Sequence, residues 1–326
     1  MSSPRASLVV RCYNEREHIA KLLHGVFEQT VQDIEVILVD SGSTDGTLEV
    51  ARQYPIDEIV YIDPEEFSFG RALNYGIEAA TGEFCVIASA HVYPRRVDWL
   101  ESLLEKFEED VALVYGKQRG NETTKFSERQ VFQRWFPDTD RERQNSPFCN
   151  NANAAIRRAV WEEFEYDERL TGLEDLDWAK RVQDAGYDIS YAADAEIVHV
   201  HDETPREIMN RYRREAFAHK QIIGDQTFTV LDFLYLFALN TVTDYTAAAR
   251  EGKLLSNLYE IPMFRLMQFF GTYRGFARDE SITERLYQRF YYPDREGYPD
   301  QQRSADREED DDRTINYGDV SASPED

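Results

Sequence analysis

Short apolar runs alternate with helix-period stretches along the first ninety residues. A run at 8–12 is followed by a helical segment at about 15–28, and a run at 36–40 by one at 44–53. Residues 58–62 then precede a glycine-containing helix at 70–81, and 83–88 form a fourth run. Ile37, Leu38 and Val39 show no polar alternation, as a strand buried on both faces requires. Strands that alternate with helices in this way predict an α/β domain built on a mostly parallel sheet. Farther on, residues 98–108 have a helical period, and 111–116 and 186–191 read as strands. Residues 228–239 and 261–276 are aromatic and apolar, interrupted by Asp232, Arg265 and Arg274, and fall short of the roughly 18 residues of a spanning helix. They read as amphipathic helices. From Pro293 onward Asp, Glu, Arg and Gln dominate, with EEDDD at 308–312, and there is little to bury. The expected division is an α/β domain over 1–225, an amphipathic helical region over 226–292 and a disordered acidic tail over 293–326.

The polar residues that end these runs carry the candidate chemistry. The run at 36–40 stops at Asp40 and passes into Ser, Gly, Ser, Thr, Asp and Gly, which is turn and helix-start composition. Ligands of open α/β sheets bind outside the carboxyl ends of the strands, so Asp40 either faces a small molecule or caps the next helix. The fourth run ends in Ser89-Ala90-His91, a helix opens at Glu174-Asp175, and a strand-like run ends in His199-Val200-His201. Neither G-x-G-x-x-G nor G-x-x-x-x-G-K-[ST] occurs, which removes dinucleotide-binding and P-loop readings.

Composition narrows the partners. A formal charge of −25 argues against nucleic acid, whose phosphates need a basic surface. Acidic residues outnumber basic ones 62 to 37 and only seven of the latter are lysine, a balance that resembles proteins of salt-loving organisms, where salt screens self-repulsion. Cys12, Cys85 and Cys149 are few, odd in number and far apart, so free buried thiols are expected. MSSPRAS leads into the first strand without the apolar region of a signal peptide, which points to the cytoplasm.

Seven segments in order, VVRCYNE, VILVDSGSTDGT, GRALNYGIEAATGEF, SAHVYP, NNANAAIRRAVW, GLEDLDWAKRVQDAGY and IVHVH, carry a further reading. Over about residues 6–205 the chain resembles the family 2 glycosyltransferases of GT-A fold, inverting enzymes that use nucleotide-diphosphate sugars. The SAH, NNANAAIRR and GLEDLDWA versions resemble the rhamnosyltransferase-like and surface-polysaccharide members, and the composition a haloarchaeal one. The resemblance implies a UDP-sugar donor and a growing glycan acceptor on dolichyl or polyprenyl phosphate. The pathway it implies is protein N-glycosylation of a surface layer or surface-polysaccharide assembly. The residue pattern of the C-terminal helices itself leaves two readings, packing against the α/β domain or peripheral contact with the inner face of the cell membrane.

The same resemblance implies roles for individual residues. Asp40 would accept a hydrogen bond from a pyrimidine N3–H. Tyr13, Asn14, Glu15 and Ser89 would line the nucleotide pocket, with Arg71 on the base or a phosphate. Asp175 would be the catalytic base, paired with Glu174. His91 and His199, with His201 in reserve, would hold Mn²⁺ or Mg²⁺. Relatives normally carry Asp-x-Asp where this chain has Ser89-Ala90-His91; Ser is a poor metal ligand, whereas neutral imidazole is a good one. That departure also leaves room for a non-catalytic nucleotide-sugar or glycan-binding protein, or a membrane-surface scaffold, on the same fold.

Overall fold

Strands that are apolar on both faces must be covered on both faces, and the computed structural model meets that demand by placing helices above and below one sheet. It describes residues 3–224, 226–277, 313–318 and 320. In chain order the elements are β1 (Ala6–Cys12), α1 (Arg16–Phe27), β2 (Ile34–Asp40), α2 (Thr47–Ala51), β3 (Glu58–Tyr61), α3 (Phe69–Ala79), β4 (Phe84–Ser89), β5 (Val92–Pro94) and α4 (Trp99–Leu104). Then follow β6 (Val111–Arg119), α5 (Phe126–Trp135), β7 (Asn153–Arg157), α6 (Arg158–Trp161), α7 (Glu174–Asp184), β8 (Asp188–His199), α8 (Pro205–Ile223), α9 (Val230–Arg250) and α10 (Glu260–Phe276).

The eight strands run in the order β3-β2-β1-β4-β7-β6-β8-β5. β1, β2, β3 and β4 pair in parallel, as do β6 and β8, while β7 and β5 are antiparallel to their neighbours. Odd-numbered positions such as Val9, Ile37 and Ile87 pack with Leu73, Trp161 and Trp178 on one face. Even-numbered ones such as Leu8, Leu38 and Val86 pack with Leu22, Leu23, Trp99 and Leu103 on the other. Close approach fixes α3: a Cβ on Gly76 would stand 2.4 Å from a Val9 methyl and 2.8 Å from one of Val39.

Two expected boundaries shift and two elements appear that the periodicity did not announce, each for local reasons. β7 lies inside a segment read as motif rather than strand, because Ala154 and Ala155 give it little apolar bulk. β8 runs on to His199, well past residue 191, through Ala192, Ala193 and Ala195, small residues that mask the alternation. α2 is shorter than the expected 44–53 helix because Thr44 N donates to Asn14 Oδ1 at 2.8 Å and Gly46 sits at φ 98°, so the turn stays outside the helix. α5 carries few apolar residues and gives no clear period.

The charges that interrupt the C-terminal apolar runs all have structural partners. Asp232 completes a capping box with Thr229 at the start of α9. Arg265, 3% exposed, meets Asp244, 2% exposed, through two hydrogen bonds of 2.7 and 3.0 Å, and Ser127 of α5 donates to the same carboxylate at 2.6 Å. That network ties α9 and α10 to the α/β domain. α10 lies close on α8, since a Cβ on Gly271 or Gly275 would meet the Met209 or Arg213 carbonyl oxygen at 2.4 or 2.6 Å.

One expectation needs correction. Within the tail expected to be disordered from residue 293, residues 313–318 and 320 pack on the domain: Ile315 is 3% exposed and Val320 joins the core on the α1 side of the sheet. Ile315, Tyr317 and Val320 supply the apolar surface that an average over the acidic tail conceals. Residues 293–312 lie outside the described residues.

The α9–α10 ion pair generates a stability prediction. Asp244→Ala leaves Arg265 buried without its counter-charge and is expected to cost about 3–5 kcal/mol, read by urea unfolding. The double change Asp244→Leu with Arg265→Met should recover most of that loss; an unchanged unfolding midpoint for Asp244→Ala would show the pair contributes nothing.

Candidate active site

The carboxyl ends of β1, β2 and β4 lie side by side, with Cys12 in register with Asp40 and Arg11 with Ser89. Asp40 is 2% exposed, and its Oδ2 accepts from the amides of Gly42 and Ser43, both at 3.1 Å. The left-handed Gly42, at φ 91°, turns the loop so that these amides point back at the carboxylate. The β1–α1 and β2–α2 loops are latched together. Asn14, itself at φ 54°, accepts from Thr44 and donates its backbone amide to Ser43 Oγ at 2.9 Å, and Glu15 N donates to Thr47 Oγ1 at 2.8 Å. Asn14 therefore shapes the pocket wall through its side chain, and Tyr13 beside it packs on the core.

Three imidazoles converge at the neighbouring strand ends. His91 follows β4, His199 ends β8, and His201 lies two residues beyond; their ring centroids are 5.1 Å (His91–His199), 4.0 Å (His199–His201) and 6.1 Å (His91–His201) apart. One ring nitrogen of each falls within 4.8 Å of the others. Every Nδ1 faces an oxygen: Glu15 Oε1 at 2.7 Å for His91, Gln118 Oε1 at 2.8 Å for His199 and Glu128 Oε1 at 2.8 Å for His201. Glu15, expected in the nucleotide pocket, is thus a partner of His91. An acceptor on Nδ1 selects the tautomer that frees Nε2, the arrangement behind metal-ligating histidines.

Electrostatics separate the three rings. Burial, with His201, His91 and Arg211 nearby, drives the His199 pKa well below its ordinary value, so this ring is neutral. Its buried Nε2 has no hydrogen-bond partner among the described residues. Burial also opposes charge on His91, but Glu15 outweighs it and raises that pKa. Glu128 is disfavoured as an anion by burial, yet His201 and Arg211 bring it down to about 2. Arg211 bridges Glu128 and Glu203, at 2.6 Å to each, and so anchors α8 beneath the histidines. A neutral, buried imidazole with its lone pair unused, beside two more imidazoles, fits a divalent cation. His201 belongs to this set on equal terms with the other two.

The acidic pair opens α7. Leu173 precedes it in the left-handed region, at φ 56° and ψ 29°, a conformation that costs a non-glycine residue roughly 1–3 kcal/mol and recurs at functional sites. Asp175 accepts from Asn151 N at 3.1 Å and Leu176 N at 2.8 Å. Burial, then the Glu174 charge, push its pKa up to about 7 against those two amides and Arg11. Glu174 Oε1 pairs with Arg11 Nη1 at 3.1 Å, both side chains being at most 13% exposed.

Arg11 is a candidate site residue that the sequence reading did not single out. Its guanidinium carbon lies 5.0 Å from the Phe69 ring centroid, and that of Arg214 on α8 lies 5.0 Å from the same centroid. Two cations gathered on one ring beside a carboxylate pair make a concentrated polar wall. A signal was present, since an arginine continuing the inward Val9 row has to find a buried partner. Arg71, by contrast, is engaged away from the strand ends, with Nε 2.7 Å from Glu168 Oε2 and Nη1 2.7 Å from the Glu66 carbonyl. Ser89 stands at the end of β4, half-buried beside Arg11. Cys12, Cys85 and Cys149 are free and buried, as expected.

A mixed α/β sheet with an acidic helix start, a buried Asp at a strand end and a polar cluster at the adjacent ends is the architecture of the GT-A fold. The chain belongs to glycosyl transferase family 2, whose model matches residues 7–164. It is 30% identical over 230 residues to the O-antigen chain rhamnosyltransferase WbaN of Salmonella anatum, covering 64% of this chain and 70% of that one. The glycosyltransferase AglE of Haloferax volcanii is 32% identical over 203 residues, 59% of this chain and 65% of its own. Among solved structures, the mannosyltransferase PcManGT of Pyrobaculum calidifontis, in complex with GDP-Man and Mn²⁺, superposes with a TM-score of 0.57 at 22% identity over 84% of this chain and 86% of that one.

All-imidazole ligation generates a test of metal choice. Nitrogen donors favour Mn²⁺, Co²⁺ or Zn²⁺ over Mg²⁺, which prefers oxygen. Titration calorimetry is expected to show the transition-metal ions binding at least about tenfold more tightly than Mg²⁺, with His199→Ala losing that binding. Equal affinity for Mg²⁺, or undiminished binding by His199→Ala, would remove the three histidines as the ligand set.

Proposed function

We propose that this enzyme is an inverting glycosyltransferase that moves a sugar from a nucleotide-diphosphate donor, a UDP-sugar, to a growing glycan on a dolichyl or polyprenyl phosphate. The observation that carries the reading is Asp175, a buried carboxylate raised to about 7 and oriented by two backbone amides. An acceptor hydroxyl is a weak nucleophile, and a positioned base of near-neutral pKa gives the best compromise between being deprotonated and being basic. Asp175 takes the hydroxyl proton as the oxygen attacks the anomeric carbon. The new C–O bond forms opposite the breaking bond to the diphosphate, so the configuration inverts.

The leaving diphosphate gathers negative charge as that bond breaks. Arg11 can meet part of that charge: it is in register with Ser89 and hydrogen-bonded to Glu174, so it lies between the strand end and the base. A divalent cation on His91, His199 and His201, when bound, supplies further neutralisation of the diphosphate. Asp40 accepts the base N3–H with whatever acceptor capacity its loop amides leave. Similarity to an O-antigen chain rhamnosyltransferase supports a surface-glycan pathway, and N-glycosylation of a surface layer is the particular form proposed.

Lipid-linked acceptors place the enzyme at the cytoplasmic face of a membrane, and α9 offers a contact for it. Leu231, Leu234, Tyr235, Leu239 and Val242 form an exposed apolar stripe, and Leu255, Leu258 and Tyr259 extend the apolar surface beyond the helix. No helix among the described residues is long and apolar enough to cross a membrane. On this reading the contact is peripheral.

Two outcomes test the proposal. The rate of sugar transfer should rise with pH through about 7 and then level, because only deprotonated Asp175 acts. Asp175→Asn should lose on the order of 10²- to 10⁴-fold in kcat together with that limb, and Arg11→Met should move the limb to higher pH; near-wild-type transfer by Asp175→Asn would overturn the base assignment. Separately, the full chain should float with liposomes containing polyprenyl phosphate, and Leu234→Glu with Leu239→Glu should abolish flotation without unfolding the protein. Flotation unchanged by the double substitution would place the membrane contact elsewhere.

A further inference from the structure

The outermost strand of the sheet, β5, is also the strand that leaves the His91 loop, and it is not bare. His91 O accepts from Val200 N at 3.1 Å, and the pairing with β8 continues through Val92 with His199 to Arg95 N on the Glu196 carbonyl at 3.0 Å. Beyond that point the partner changes. Val97 N donates to Arg313 O at 2.9 Å, Ile315 N donates to Arg95 O at 3.2 Å, and Arg96 forms an antiparallel bridge with Thr314. A segment near the chain's C-terminus thus continues the sheet edge where β8 leaves it, as edge strands require.

Side chains lock this seat from three directions. Arg313 Nη1 is 2.9 Å from Asp98 Oδ2, a carboxylate that Arg96 also holds at 2.9 and 3.0 Å. Ile315 is buried, and Val320 reaches the core. The Tyr317 hydroxyl donates to the Pro94 carbonyl, and its ring meets Tyr93 and His24 edge-on at centroid distances of 4.8 and 5.7 Å. Gly25 makes room for it in the last turn of α1: a Cβ there would stand 2.2 Å from the Tyr317 hydroxyl oxygen and 2.9 Å from Pro94 Cδ.

We propose that residues 313–318 and Val320 form an intramolecular docking segment whose seat on the β5–α4 edge holds the His91 loop against β8, so that docking and cation binding at the three histidines support one another. The occupant is the chain's own segment. The 35 residues at 278–312 that join it to α10 span up to about 120 Å when extended, far beyond the width of the domain. Coupling follows from connectivity: Pro94 and Arg95 carry the segment's anchors, and His91 lies three residues before Pro94. Because linkage is reciprocal, whatever tightens the histidine cluster also tightens the seat.

The test compares the full chain with one ending at Asp312, and with full-length Tyr317→Ala. Backbone hydrogen exchange reads two amides: Val97, bonded to the segment, and Val200, bonded to His91 O. Both are expected to exchange at least about tenfold faster in the shortened chain and to slow again when the peptide RTINYGDV is added in excess, while Leu38 in β2 stays protected and shows that the fold survives. Tyr317→Ala should fall between. Faster exchange at Val97 with Val200 unchanged would overturn the proposal, as would a full-length dimer that the shortening dissolves, which would make the seat intermolecular. Calorimetry with Mn²⁺ adds an arm that rests on the metal reading: affinity should fall about fivefold on shortening. A full chain that binds no Mn²⁺ at all removes the metal reading, and the exchange arm then still decides whether the segment holds the loop.

Discussion

A sheet buried on both faces confines polar chemistry to the ends of its strands, and this constraint organises the molecule. Val9, Ile37 and Ile87 face one helical layer while Leu8, Leu38 and Val86 face the other, all at most 1% exposed. No ionised side chain could sit in those rows without a large desolvation penalty. Polarity begins where each strand leaves the sandwich, at Arg11, Asp40, Ser89 and His199. The antiparallel β7 enters from the same edge, so the loop before it brings the Asn151 amide to Asp175. The site is the unavoidable collection point of everything the core excludes.

That constraint also explains what could be read in the sequence. Runs such as VILVD announce a strand, its burial and the carboxylate at its end, all within a few residues. The acidic pair and the histidines were legible for the same reason, as polar residues punctuating apolar runs. Other relationships were hidden because they join residues far apart in the chain. Glu15 meets His91, Gln118 meets His199, and Glu128, on an α5 with little apolar signature, meets His201. Arg71, expected from its motif to contact the base or a phosphate, pairs with Glu168, nearly a hundred residues away. Asn74 in the same motif is wholly structural, its amide bonded to Tyr166, Glu168 and Trp161. The tail misled for a compositional reason: three apolar anchors disappear among acidic neighbours.

Replacing a carboxylate by imidazole at position 91 does not remove negative charge from the site. It moves that charge one bond network outward. Glu15 and Glu128 stand behind His91 and His201 where, in an Asp-x-Asp arrangement, a carboxylate would touch the cation directly. The inner face is then nitrogen-rich while the outer ring supplies the field that orients the rings. Arg211 limits how much of that field reaches inward, because its single positive charge is shared between Glu128 and Glu203.

Arg11 is where these two electrostatic systems meet. Its pairing with Glu174 partly cancels the charge that, after burial, does most to raise the Asp175 pKa, and it also lowers that pKa directly. In the proposed role of base, Asp175 needs such a cation, because burial and a neighbouring anion both disfavour its ionised form. With a stronger one, Asp175 would ionise readily but bind its proton too weakly to draw one from a hydroxyl. A bridged rather than direct contact gives the intermediate case. Arg11 keeps its hydrogen bond on Glu174, and Asp175 feels it at one remove. Its stacking on Phe69, shared with Arg214, fixes the guanidinium so that this balance is set by rigid packing rather than by a mobile side chain.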